Sequence, residues 1–153
     1  MGVLGLLLLP TLVAAEIQFI EVSAQMGIDF VHENGVSAEK RLPETNGAGS
    51  AFFDWENDGD QDLYLVNSGH MEKGRGPSWN GLYRNDGSVF KPVVGAAGAR
   101  GESYGMGVVA ADYDSDGDPD LYLTAWGPDQ LYRADEGSFT DATDVSGLGH
   151  EGW

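Results

Sequence analysis

Asp54-Trp55-Glu56-Asn57-Asp58-Gly59-Asp60-Gln61-Asp62 runs directly into Leu63-Tyr64-Leu65, and Asp112-Tyr113-Asp114-Ser115-Asp116-Gly117-Asp118-Pro119-Asp120 runs into Leu121-Tyr122-Leu123. One motif is written twice, with five carboxylates set two residues apart in each copy. At ~6 Å in water each adjacent pair repels by roughly 0.7 kcal/mol, and by more where solvent is excluded. A hard divalent cation that takes six to eight oxygens removes the conflict, and the spacing suits Ca²⁺ better than Mg²⁺. The glycine at the sixth position lets the chain turn sharply around the ion.

Two other readings of the motif fail. An acidic run is usually a solvated surface or tail, but such runs lack fixed spacing and do not end in an apolar strand. Here 10 of the 25 acidic residues occupy 18 of 153 positions, so the acid is concentrated. An EF-hand loop closes with a bidentate Glu at its twelfth position, where this chain has Leu65 and Leu123. The short form with two Ca²⁺ sites remains. The side chains of Asp54, Glu56, Asp58 and Asp62 are expected to ligate one ion, with the backbone carbonyl of Asp60. Those of Asp112, Asp114, Asp116 and Asp120 are expected to hold the other, with the carbonyl of Asp118. The Asp60 and Asp118 carboxylates are then left for solvent or a strand end.

The loops sit inside a longer repeat. A shift of 58 residues lays 47–69 on 105–127 with 11 of 23 positions identical, including Gly47-x-Gly49 on Gly105-x-Gly107. Downstream the shift becomes 49, with Leu82-Tyr83-Arg84 on Leu131-Tyr132-Arg133 and Phe90 on Phe139. The difference is an insertion at about 70–78. A Phe-x7-Gly element recurs at Phe19 to Gly27, Phe90 to Gly98 and Phe139 to Gly147. Periods of roughly 50 residues mark propellers and other arrays.

Short apolar runs at Ala51–Phe53 and Val108–Ala110 enter the loops, and Leu63–Val66 and Leu121–Thr124 leave them. Asn80–Arg84 and Gln130–Arg133 read as third strands, and Phe90 and Phe139 open fourth strands. No segment after residue 30 has sustained helical periodicity, so no helix is expected there. The fold class is all-β: blades of four antiparallel strands, the acidic loop joining the first two. Tyr64, Tyr122, Trp55 and Trp126 are expected to pack between neighbouring blades. The expected order is a leader at 1–15, a lead-in strand and loop at 16–46, and repeats at 47–98 and 99–147. Residues 148–153 then read as the start of a third, truncated repeat. Two blades fall short of the four to eight of a propeller, so the exposed edges and packing face favour aggregation or assembly with more repeats.

The units resemble FG-GAP or VCBS-type repeats, as in the calcium-binding propeller blades of integrin α-subunits. Phe19-Ile-Glu-Val-Ser, Gly27 through Gly35, Leu42-Pro43-Glu44-Thr45 and the Gly47–Leu65 block resemble the N-terminus of the cartilage acidic protein 1 family. That resemblance implies repeat propellers followed by an ASPIC/UnbV domain. Glu56 departs from the usual Asp or Asn, and no ASPIC/UnbV segment is present.

A net charge of −17 argues against nucleic acid and anionic membranes as partners. Zero cysteines exclude a disulfide framework and a zinc–thiolate site. Residues 1–15 have the length and apolarity of a signal peptide, with Val13-Ala14-Ala15 before a cleavage point, though without a basic n-region. They are too short for a comfortable membrane span. Export to the periplasm, cell surface or medium follows. No G-x-S-x-G or H-E-x-x-H occurs, and the Gly-x-Gly pairs precede neither a helix nor a lysine, so they are not phosphate loops. The expected role is a calcium-stabilised scaffold that binds a protein or carbohydrate. The alternative is a propeller-based enzyme whose catalytic residues are not recognisable here. His32-Glu33-Asn34, with His70, is the one remaining group with side chains able to ligate a transition metal.

Overall fold

The computed structural model describes residues 17–71 and 78–150. The expected leader, most of the insertion and residues 151–153 lie outside that range. Two four-stranded antiparallel sheets follow one another along the chain, in spatial orders β1-β2-β3-β4 and β5-β6-β7-β8. The first holds β1 (Ser50–Phe53), β2 (Asp62–Leu65), β3 (Gly81–Asn85) and β4 (Phe90–Pro92). The second holds β5 (Tyr104–Ala111), β6 (Asp120–Trp126), β7 (Gln130–Asp135) and β8 (Ser138–Asp141). The all-β expectation stands, and each acidic loop joins the first two strands of its sheet.

Register decides which side chains become core, because successive residues of a strand face opposite ways. Ala51 pairs with Tyr64 and Tyr64 with Leu82, so these three share one face of the first sheet with Phe53. Leu121 pairs with Tyr132 and Ala134 with Phe139, on one face of the second. The two faces are pressed together: Phe53, Tyr64, Val66 and Leu82 form one buried cluster with Leu121, Leu123, Tyr132, Ala134 and Phe139. The Phe53 and Phe139 rings meet at 6.4 Å, tilted by 52°. The Tyr64 hydroxyl crosses the junction to donate to the Ala99 carbonyl, and Asn80 Nδ2 donates to that hydroxyl at 2.8 Å. The Gly-x-Gly pairs allow close approach of the inner strands: a Cβ on Gly49 would lie 2.9 Å from the Gly107 Cα.

Helix is not wholly absent after residue 30, which corrects the sequence expectation. Leu42–Thr45 and Val94–Gly98 are 3-10 turns, and Thr143–Ser146 is a single α turn, α1. One turn needs no amphipathic periodicity, so nothing in the pattern announces it. The last two occupy the same place in the two repeats yet differ in hand. Gly95, Ala96 and Ala97 take positive φ of 63°, 47° and 51°, whereas α1 is right-handed and stops at Gly147 with φ 70°.

Candidate metal sites in the two acidic loops

Both loops take the same backbone path. The fourth residue is left-handed in each, Asn57 at φ 55° and Ser115 at φ 65°, and the sixth is a glycine at φ 95° and 101°. Asn and Ser tolerate that conformation at small cost, and glycine at almost none. The first carboxylate fixes the turn from inside. Asp54 accepts the backbone N–H of Asp58 at 3.0 Å and of Gly59 at 2.9 Å, and Asp112 accepts those of Asp116 and Gly117, both at 3.2 Å. The carboxylate at the fifth position, Asp58 or Asp116, accepts the N–H two residues on, at 2.9 Å in both loops.

The ninth residue behaves differently from the rest. Asp62 and Asp120 are each 1 % exposed, while Asp58, Asp60, Asp112, Asp114 and Asp116 are exposed. Each ninth carboxylate ties its loop to the third strand. Asp62 accepts N–H from Trp55 and Asn85, both at 2.8 Å, and Asp120 accepts from Tyr113 at 2.7 Å and Ala134 at 2.8 Å. Burial pushes the Asp62 carboxyl above its usual range, with Asp58 and Asp54 adding to the shift and the two N–H donors opposing it.

In the second loop, carboxylate oxygens of Asp112, Asp114 and Asp116 lie within 4.8 Å of one another. Two oxygens on one Ca²⁺ at 2.3–2.6 Å can be no more than about 5 Å apart, so the trio fits a shared ion. Desolvation, then Asp116 and Asp120, raise the Asp114 carboxyl. The first loop forms no such trio among the described residues. Its third position, Glu56, has Oε1 3.7 Å from Arg84 Nε. Arg133, the counterpart of Arg84 in the Leu-Tyr-Arg repeat, is the cation that weakly opposes the rise of the Asp114 carboxyl.

Asp60 and Asp118 do not share one fate. The Asp118 carboxylate accepts a 2.6 Å hydrogen bond from Asn57 Nδ2, so the loops touch each other. That departs from the expected solvent or strand end, and sequence spacing could not place two loops side by side.

His32-Glu33-Asn34 is a clip rather than a site. Ser68 donates its one hydroxyl proton to the Gly105 carbonyl at 2.9 Å, so His32 Nε2 at 3.0 Å donates to Ser68 Oγ. Ser68 is buried with its proton committed, which is not the arrangement of a nucleophile and its base. The Glu33 N–H donates to Asn67, the Glu33 carbonyl accepts the Gly69 N–H, and the Asn34 carbonyl accepts the Tyr104 hydroxyl at 2.8 Å. The lead-in thereby ties to both sheets.

Two stacked four-stranded sheets, related by an internal repeat and each carrying an acidic loop between its first strands, have the form of propeller blades. The family model described as FG-GAP-like repeat matches residues 54–123, from the first carboxylate of the first loop to the strand after the second. That match supports an FG-GAP repeat protein. No curated protein matches the chain. Among the described residues no helix is long and apolar enough to cross a membrane.

Proposed function

We propose that the chain is an exported, calcium-binding repeat scaffold of the propeller type, presenting its loops and faces to a protein or carbohydrate ligand. The observation that supports it most is the repetition of one loop conformation at two places. Asp112, Asp114 and Asp116 gather at ion-sharing distance in one of them. Asp54, Glu56 and Asp58 are the corresponding set in the other, and Glu56 reaches an ion by leaving Arg84. The carbonyls of Asp60 and Asp118 complete each shell. Asp62 and Asp120 contribute the lone pairs that their backbone donors leave unused. FG-GAP repeat domains are generally non-catalytic, which accords with a scaffold. The kinship with the cartilage acidic protein 1 type rests on the lead-in motifs and the Gly47–Leu65 block, and export rests on residues 1–15. Equilibrium dialysis against Ca²⁺ tests the assignment. Two sites per chain are expected, falling to one in Asp58→Ala and in Asp116→Ala, and stoichiometry unchanged by both substitutions would sink it.

A further inference from the structure

One cleft is built twice, and its chemistry differs between the copies. In the first repeat it lies between the start of β3, the end of β4 and the turn at Val94–Gly98, lined by Trp79, Leu82, Pro92, Val93, Val94 and Arg100. It encloses about 420 Å³ and opens to the surface, the size of a small-ligand site. In the second repeat, 49 residues on, Pro128, Gln130, Asp141, Thr143, Asp144 and Val145 line its counterpart. Trp79 has become Pro128, Pro92 has become Asp141, Gly95 has become Asp144 and Arg100 has become Gly149. The cleft is thus a product of the repeat, whereas the ring and the cation belong to the first copy alone.

Arg100 is held without an acid. Its guanidinium lies 5.4 Å from the centroid of the Trp79 ring. It also lies against Gly95, where a Cβ would come within 3.3 Å of Nε. The turn that brings Gly95 there is left-handed through Ala96 and Ala97, a conformation alanine seldom takes, while the matching turn α1 is right-handed. Arg84 and Arg133 pair with Asp86 and Asp135, but among the described residues no carboxylate pairs with Arg100. In a chain of 25 acidic and 8 basic residues, that leaves one planar donor fork for an outside anion.

The rest of the cleft narrows the anion. Asn80 accepts the Asn67 N–H at 2.7 Å and donates to the Tyr64 hydroxyl, and the Tyr83 hydroxyl donates to Asp29. A sugar, with a hydroxyl on most of its carbons, therefore finds no free side-chain partner besides Arg100, and one face of Trp79 is already taken. A polyanion is repelled by the net charge of −17. What fits is one carboxylate on an apolar body. The acidic loops do not oppose it: Asn85, at the other end of β3 from Gly81, is the residue tied to Asp62. About 13 Å of strand intervenes, more than a Debye length of about 8 Å at physiological salt.

We propose that this cleft binds the carboxy-terminal residue of a partner polypeptide, its carboxylate on the Arg100 guanidinium and an apolar side chain against Pro92, Val93 and Val94. The open mouth lets the rest of the partner chain leave the site. The proposal rests on the reading of the chain as a protein-binding scaffold, though not on the bound ion.

Fluorescence anisotropy of a labelled glycine–serine hexapeptide ending in phenylalanine, titrated with the full chain, tests it. The free acid should saturate, and its C-terminal amide should bind about tenfold more weakly or worse. Arg100→Gln should bring the same loss for the acid and leave the amide unchanged. Arg100→Lys should fall between, because the charge stays and the fork goes. Val94→Asp, at a position 96 % exposed, should weaken the acid as well, and Arg133→Gln should not. No saturation by the free acid below about 5 mM, or equal binding of acid and amide, overturns the proposal. Phenylacetate that competes as tightly as the peptide assigns the cleft to small acids instead, and tetragalacturonate that does so assigns it to a glycan; either result overturns the polypeptide. Titration in calcium and in chelator separates this from the calcium reading. Peptide binding that persists in chelator upholds the cleft even if no ion binds, and its absence in a chain that holds two ions refutes the cleft alone.

Discussion

Asp62 and Asp120 show how one residue type serves two purposes within a nine-residue loop. In sequence the five carboxylates look alike, and eight of the ten were expected to ligate the ions, with Asp60 and Asp118 serving through their carbonyls. The fold sorts them by what lies above. Asn85 and Ala134, 23 and 14 residues further on, bring backbone N–H groups over the ninth position and draw those carboxylates inward. Which carboxylate turns inward to backbone and which stays exposed is therefore decided by the third strand, out of reach of local spacing. The two roles separate experimentally. Asp120→Ala strands two N–H donors at about 1–3 kcal/mol each, so urea titration in chelator should show a loss of roughly 2–6 kcal/mol. Asp116→Ala, on an exposed side chain, should change stability in chelator by less than about 1 kcal/mol. Equal losses in the two variants would mean that the ninth position is not the anchor described.

At the scale of elements, strands and loops were legible because period-two apolar runs are bounded by Gly, Asn and Asp. The Phe-x7-Gly element was legible only as a recurrence. Its meaning needs the neighbouring unit, because Gly98 is required by the carbonyl of a residue in β8. Gly98→Ala should therefore cost about 2–3 kcal/mol, combining a clash with backbone and a left-handed φ of 114°. Gly147→Ala meets only the conformational part and should cost about 1 kcal/mol. Thermal or urea unfolding of both variants checks the ordering, and equal costs would mean that Gly98 is not a packing ledge. The lead-in escaped the sequence reading for a related reason. His32-Glu33-Asn34 carries side chains that can ligate metals, but its bonds run to Asn67, Ser68 and Tyr104, on chain that the lead-in meets only after folding.

For the whole molecule, the internal repeat gave the fold class and the sheet boundaries. The stacking was only half legible. Tyr64 and Trp55 pack between the sheets as expected, whereas Tyr122 is half-exposed and Trp126 is 41 % exposed, because their face is the open one. The two acidic loops lie on the same side of the stack, joined through Asn57 and Asp118, so ions in both would brace the junction as well as each turn. Sites that bind at ~0.1 mM, as extracellular modules can, add about 1.4 kcal/mol each at 1 mM free Ca²⁺. The most direct measurement is the melting temperature of the full chain in 1 mM Ca²⁺, in chelator, and in chelator with Mg²⁺ restored to the same free concentration. Chelation should lower the midpoint by several degrees and Mg²⁺ should recover little of it. Superimposable melting curves in calcium and chelator would contradict the account and leave the exposed carboxylates of the loops as solvated surface.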